Sequence, residues 1–195
     1  MARVALFGGS FNPPHLGHLF VALYVLETRA IDELWLVPTF HHPFEKALAP
    51  FADRFEMCGS MAAALGPRVR VSDIEARLGG ASRTLRTVER LIEEAPGSDF
   101  SLVIGGDLVG EVDAWFGAAA LRALVEFIVV DRSPSPSAAP PSSAGPHGLR
   151  MPAVSSSEIR EALARGEDVS GRVSRSVLDY IASRGLYGFA RPNPH

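Results

Sequence analysis

The segment Gly8–His18, GGSFNPPHLGH, follows the apolar run Val4–Phe7 close to the start of the chain. An uninterrupted apolar run that stops at Gly-Gly is the pattern of a strand buried on both faces, as in a parallel sheet. Pro13 and Pro14 sit where a helix can begin, and Leu16, Leu19, Phe20, Leu23 and Leu26 then recur at helical spacing over 15–28. A second buried strand, ELWLVP at 33–38, stops at proline. Strand, helix and strand within ~35 residues make a βαβ unit, which commits this half of the chain to a parallel sheet with helical crossovers.

The alternation continues along the chain. Residues 50–65 read as a helix, 69–75 as a strand, 84–95 as an amphipathic helix ended by Pro96-Gly97, 100–107 as a strand running into a second Gly-Gly, and 124–132 as a fifth strand. The fold class is therefore α/β, with a parallel sheet flanked by helices. Residues 133–148, SPSPSAAPPSSAGPHG, are dominated by proline, serine, alanine and glycine and predict a mobile loop. LRMP at 149–152 has the makings of a last short strand, and two helical stretches between 155 and 187 form a small C-terminal helical part. With 195 residues and 47% apolar content, the whole chain, 1–195, reads as one domain with a substantial core.

Charge and composition exclude several functions. A formal charge of −3 supplies no basic field for nucleic acid. Neither a signal peptide nor a run of the ~18–20 apolar residues of a membrane span is present, so a cytoplasmic protein is expected. The lone cysteine, Cys58, lies in a helical pattern with no metal-ligand spacing around it and reads as a buried, inert thiol.

Ligands of open parallel sheets bind at the carboxyl ends of strands. Glycine there lets the backbone approach a ligand with its N–H groups, and the helix that follows adds its positive end. Anionic oxygen, phosphate above all, is the natural guest. His15 and His18, three apart, present two imidazoles on one face at that helix start, and Gly17 between them removes a side chain. A zinc site lacks a third ligand and the H-E-x-x-H spacing, so no metal ligand is assigned. Neither the Walker phosphate loop nor G-x-G-x-x-G is present.

GGSFNPPHLGH resembles the N-terminal signature of the nucleotidyltransferases with an H-x-G-H motif, and VSSSEIR at 154–160 resembles their second signature, I-S-S-T-x-I-R. The match is closest to the bacterial nicotinate-nucleotide adenylyltransferases; LVPTFHHPFEK, FADRFEM, IGGD, FIVVDR and VSRSVLDYIASRGLY agree in order, so the resemblance spans residues 3–187. It implies a Rossmann-like sheet and transfer of AMP from ATP, accompanied by Mg²⁺, to nicotinate mononucleotide in NAD biosynthesis. The mononucleotide phosphate, already ionised, attacks the α-phosphorus in line, so positioning and charge stabilisation suffice and no catalytic base is needed. The resemblance makes His15, His18 and Arg160 the catalytic donors to phosphate. It assigns Gly8, Gly9, Ser10, Phe11, Gly17, Gly105, Ser155 and Ser156 to ATP and Asp107 to its ribose. Lys46, Thr84, Trp115 and Arg83 are expected on the mononucleotide side. Taken singly, several have plainer readings: SSSEIR as a helix cap, Asp107 as an N-cap, Trp115 as a core aromatic and Lys46 as a surface charge.

The chain departs from the family pattern at three places. Asn12 stands where Asp is usual. PFEK at 43–46 replaces P-P-H-[KR], with His41 and His42 just upstream. SRTLRT at 82–87 replaces S-Y-T-x-D-T, so that Arg83 stands for an aromatic and Arg86 for an acid. A cation here favours a carboxylated pyridine ring over the amide; two solvated arginines on the helix are the plain alternative. The competing functions are transfer to another phosphate monoester, such as phosphopantetheine, and a non-catalytic nucleotide-binding module.

Overall fold

The computed structural model describes residues 1–41, 48–130 and 154–189. The strands are β1 (Ala2–Gly9), β2 (Glu33–Pro38), β3 (Val69–Val71), β4 (Ser98–Gly105) and β5 (Glu126–Val130). All pair in parallel, in the order β3-β2-β1-β4-β5. The chain first builds outward from β1 through β2 to β3, then returns to the other side of β1 for β4. That reversal opens a crevice at the carboxyl ends of β1 and β4, the place where sheets of this kind bind ligands.

Strand alternation assigns the two faces. Ala5, Phe7, Leu34, Leu36 and Val103 meet α1 (Leu16–Thr28) and α2 (Phe51–Leu65) on one face. Val4, Leu6, Val37, Leu102 and Ile104 meet α3 (Ile74–Leu78), α4 (Thr84–Glu94) and α5 (Ala118–Leu124) on the other. Both faces are covered, which is why these strands read as continuous apolar runs. Cys58 is fully buried in the first of these cores, and burial pushes its thiol well above the usual range.

The structure revises three sequence expectations. The strand expected over 69–75 ends at Val71, where its pairing with β2 stops: Ser72 N–H makes the last ladder bond, to Leu36 O at 2.8 Å, and the Ser72 hydroxyl then accepts from Ile74 N–H at 3.3 Å, opening α3. Helix α1 buries Val21, Ala22 and Val25, while Phe20 and Leu23, two members of the expected stripe, are 40% and 42% exposed. The helix is apolar around most of its circumference, so spacing alone does not select its inner face. Helix α5, and the 3₁₀ segment Gly106–Ala114 before it, were not anticipated. The loop at 133–148 and the short strand at 149–152 lie outside the described residues.

The C-terminal part has its own apolar cluster. Helices α6 (Ser156–Ala164) and α7 (Arg175–Arg184) contribute Ile159, Leu163, Val177 and Ile181, which close over Met57 of α2. Asp53, also on α2 and buried, accepts from Tyr180 Oη at 2.9 Å and Arg184 Nε at 3.1 Å, pinning α7 beside it. Ile181 is fully buried in this cluster and away from the crevice. Truncating it to alanine leaves a cavity and is expected to cost ~2–5 kcal/mol of stability, read as a lowered urea midpoint.

Candidate active site

The turn after β1 is shaped by its glycines and by Phe11. A Cβ on Gly8 would meet nothing within 4 Å, so the strand end opens onto free space, whereas one on Gly9 would come 3.3 Å from the Phe11 ring. Phe11 takes φ +45°, in the left-handed region, and its fully buried ring lies edge-on to Phe7 at 5.6 Å. The chain then passes a cis Asn12–Pro13 bond and enters α1, with His15 as its N-cap.

The two histidines form a stacked pair, their ring centroids 3.8 Å apart at 28°. Phe11 supports the His18 ring from below at 4.8 Å. His18 Nδ1 accepts the N–H of His15 at 3.2 Å. Only a ring without a proton on Nδ1 can accept there, so the proton of His18 sits on Nε2, which is thereby a donor. Both rings are nearly enclosed, His15 4% and His18 8% exposed.

The late part of the chain closes on this same turn. Arg160 donates through Nη1 to Asn12 O at 2.9 Å and through Nη2 to Ser157 Oγ at 3.2 Å. Ser156 Oγ donates to Pro13 O at 3.0 Å, and Tyr187 Oη to Asn12 Oδ1 at 3.0 Å. Ser155 caps α6, its side chain accepting from Ser157 N–H. The free N–H groups at the start of α6 and an arginine with further donors thus stand against the turn that leads into the histidine pair.

The β4 side of the crevice is built differently. A Cβ on Gly105 would come 2.2 Å from Asp107 Oδ1, so only glycine lets that carboxylate fold back over the strand end. Asp107 is exposed in the first turn of the 3₁₀ segment, and Trp115 at its end is half-buried against the second core. A polyanion lying across the crevice would meet glycine N–H groups and imidazole on one side and a carboxylate suited to hydroxyls on the other.

The cytidylyltransferase-like family matches residues 6–162. A protein of Anaeromyxobacter dehalogenans named "probable nicotinate-nucleotide adenylyltransferase" is 46% identical over 188 residues, covering 95% of this chain and 96% of its own. A Myxococcus xanthus protein of the same name is 38% identical and covers 97% and 96%. The fold is shared with Plasmodium falciparum nicotinic acid mononucleotide adenylyltransferase solved with NaAD, at 19% identity and a TM-score of 0.74 over 98% of this chain and all of the other. The chain belongs to the nicotinate-nucleotide adenylyltransferases of this family. Among the described residues no helix is long and apolar enough to cross a membrane.

For a member of this family, the structure brings most of the expected site residues to one edge of the sheet. Gly8, Gly9, Ser10, Gly17, His15, His18, Ser155, Ser156 and Arg160 cluster around the β1 turn, while Gly105 ends β4 and Asp107 and Trp115 follow it. The Phe11 side chain is committed to the core, which leaves only its backbone for a ligand. Lys46 and His42 lie outside the described residues. Thr84 opens α4 with Arg83 as its N-cap. Arg83 lies over the Phe116 ring at 5.4 Å, and Arg83 and Arg86 share a cavity of about 50 Å³ with Glu75, Ser82 and Thr87. The two unusual arginines therefore face one space next to the Trp115–Phe116 corner.

Three buried charged residues were not singled out from the sequence: Asp53, described above, and two that lie near the crevice. Arg54 on α2 is 1% exposed and Glu75 on α3 is 9% exposed. The signal for Arg54 was available: it lies on the stripe that buries Met57, Cys58 and Met61. Glu75 was concealed by reading 69–75 as a strand. Its carboxyl accepts from Phe40 N–H at 3.1 Å and Thr87 Oγ1 at 3.2 Å, and it bonds Ser82 Oγ closely. Burial pushes its pKa above the ordinary 4.5, against the pull of these donors and of the Arg54 charge.

A raised acid pKa means the folded chain holds the proton more tightly than the unfolded chain. The stability this contributes is complete below the ordinary 4.5 and is lost as pH climbs through the folded value. Glu75→Gln removes that titration. The wild-type stability relative to Glu75→Gln is expected to decline as pH rises above 4.5, followed by urea unfolding across a pH series.

Proposed function

We propose that this chain transfers the adenylyl group of ATP to nicotinate mononucleotide, releasing pyrophosphate and forming nicotinate adenine dinucleotide. The observation that carries this reading is the clamp of the late Ser156–Arg160 segment onto the Asn12–Pro13 turn, directly beside the stacked histidines. The names of the relatives agree with it.

In this reading the triphosphate lies over Gly8, Gly9 and Ser10, with their N–H groups and those of Phe11 turned to phosphate oxygens. The mononucleotide phosphate oxygen attacks the α-phosphorus; a new P–O bond forms as the bond to the β-phosphate oxygen breaks, and the electron pair leaves with pyrophosphate. His18 donates from Nε2 to the α-phosphate, His15 donates beside it, and Arg160 with Ser155 and Ser156 neutralises the leaving group. The enclosed rings give these donors a surrounding of low polarity, where each hydrogen bond to a growing negative charge counts for more than in water. Asp107 accepts from the adenosine ribose hydroxyls, near Gly105. Lys46 meets the mononucleotide phosphate, while Trp115, Thr84 and Arg83 hold the pyridine ring and its carboxylate.

Nucleotidyltransferases acting on ATP generally use a divalent ion, and Mg²⁺ is the one we assign. Among the described residues no three His, Cys, Asp or Glu side chains gather to hold a metal, so the donor set fits an ion that arrives on the phosphates of ATP and keeps its waters. When bound it would neutralise phosphate charge. We place the reaction in the cytoplasm.

A pyrophosphate-release assay with ATP, Mg²⁺ and a panel of phosphate monoesters tests the function. Nicotinate mononucleotide is expected to be the preferred acceptor; phosphopantetheine in its place, or tight ATP binding with no pyrophosphate from any acceptor, would overturn the assignment. His18→Ala is expected to lower kcat by ~10²–10³, the loss of one transition-state donor, with little change in ATP affinity.

The cavity shared by Arg83 and Arg86 also bears on which pyridine nucleotide is preferred. A charge-assisted bond from Arg83 to the ring carboxylate contributes about 1.5–3 kcal/mol. Arg83→Ala should then narrow the ratio of kcat/KM for nicotinate over nicotinamide mononucleotide by ~10-fold or more. An unchanged ratio would return Arg83 to a surface role.

A further inference from the structure

Phe40, two residues beyond the end of β2, is held by its own peptide groups from both sides. Its N–H donates to Glu75 Oε2 at 3.1 Å and to Ser82 Oγ at 3.1 Å. Its C=O accepts from Arg54 Nη2 at 3.4 Å. The same guanidinium reaches Ser10 O through Nη1 at 2.9 Å and Ala49 O through Nε at 2.9 Å. Glu75 in turn holds Thr87 of α4. A continuous, partly buried path thus runs from Ser10, just after β1, through Arg54, Phe40 and Glu75, to the first turn of α4.

The two ends of this path belong to different substrates in the proposed function. Ser10 lies in the triphosphate turn, while Arg83 and Thr84 open α4 on the mononucleotide side. The backbone supports the same connection, with Thr39 N–H on Gly9 O at 2.9 Å and Ser82 N–H on His41 O at 3.0 Å.

Stability alone is a poor reason for this arrangement. A buried cation whose partners are backbone carbonyls carries a desolvation cost that an apolar side chain of equal volume would avoid. Burial lowers the Arg54 pKa, and Glu75 exerts an opposing electrostatic effect. What a guanidinium supplies, and an apolar side chain does not, is a planar fork with fixed donor directions, which sets three carbonyls at defined separations. In-line transfer between two bound substrates depends on such separations, because the reacting atoms must meet within a few tenths of an ångström of a productive geometry.

We propose that Arg54 and Glu75 are positioning residues for the transfer step: gripping Phe40 from opposite sides, they fix the mononucleotide half of the site against the triphosphate turn. The proposal rests on the adenylyl transfer proposed above. Neither residue needs to touch a substrate to act in this way.

The test compares wild type with Arg54→Lys, Glu75→Gln and Ser82→Ala. Three quantities are read: the folded fraction by near-ultraviolet circular dichroism, the separate affinities for ATP and for nicotinate mononucleotide by calorimetry, and kcat per folded molecule with both substrates saturating. Arg54→Lys keeps the charge but replaces the fork with a point donor. It is expected to lower kcat ~10–100-fold while each separate affinity stays within about threefold. Glu75→Gln should show the same split, and Ser82→Ala, which removes one hydroxyl of the grip, a smaller one. If kcat per folded molecule stays within about twofold of wild type in every variant that folds, or the loss lies wholly in the affinity for one substrate, the positioning role is wrong. Should Arg54→Lys fail to fold, the other two variants decide. Wild type that releases no pyrophosphate from this substrate pair overturns the functional reading and the proposal with it; active wild type with equally active variants overturns the positioning alone.

Discussion

The turn at Asn12–Pro13 is the joint on which the molecule depends. It accepts Arg160 at Asn12 O, Ser156 at Pro13 O, and Tyr187 and the Ala49 N–H at Asn12 Oδ1. Donors from α6, from the segment after α7 and from the lead-in to α2 therefore converge on a few atoms at the mouth of β1. A turn this crowded with partners holds its shape without a ligand, and α1 begins from it with both imidazoles already stacked. Preorganisation of this kind matters where donors must await charge that develops during reaction.

The C-terminal helices make the joint possible but are not part of the sheet. Their apolar cluster closes over Met57, and Asp53 beside it holds Tyr180 and Arg184. One turn of α2 therefore anchors α7, while the neighbouring Arg54 faces the strand ends. The same helix thus seats the C-terminal part and spaces the loops of β1 and β2. A change in how α7 packs would reach the Ser10 end of the β1 turn by that route.

Much of this was legible in the sequence, for physical reasons that differ from one segment to the next. The runs at Val4–Phe7 and Glu33–Pro38 were read as parallel strands because burial on both faces removes alternation. The two signatures announced a shared site, and the structure joins them through side chains to backbone carbonyls. What escaped was decided by tertiary context. Strand β3 ended at Val71 because its pairing with β2 stops at Leu36, a limit no local pattern names, and the Ser72 hydroxyl then takes the Ile74 N–H. Helix α5 is seven residues long and follows Gly117 at φ +68°, where a Cβ would come 2.3 Å from Leu85. Its start is therefore set by packing against α4. The inner face of α1 stayed hidden because Phe20 and Leu23 are as apolar as the residues that won burial. Within the candidate site, residues that act through side chains carried a motif. Arg54 and Glu75, which act on the backbone of other segments, carried only the mark of a charge at an inward position.

Asparagine at position 12 fits this electrostatic arrangement. The side chain is buried, and its oxygen accepts from two neutral donors, Ala49 N–H and Tyr187 Oη. An amide fulfils that role without a counter-charge. A carboxylate in the same place would be drawn into a pair with a cation, and Arg160, whose guanidinium rests on the Asn12 carbonyl, is the one at hand. Among the described residues Arg160 has no carboxylate partner; its bonds go to a carbonyl and a hydroxyl. Its charge is therefore held in place but not neutralised. In a chain of formal charge −3, where most of the other described arginines pair with carboxylates, that local excess of positive charge at the crevice gives a polyanion a reason to bind there.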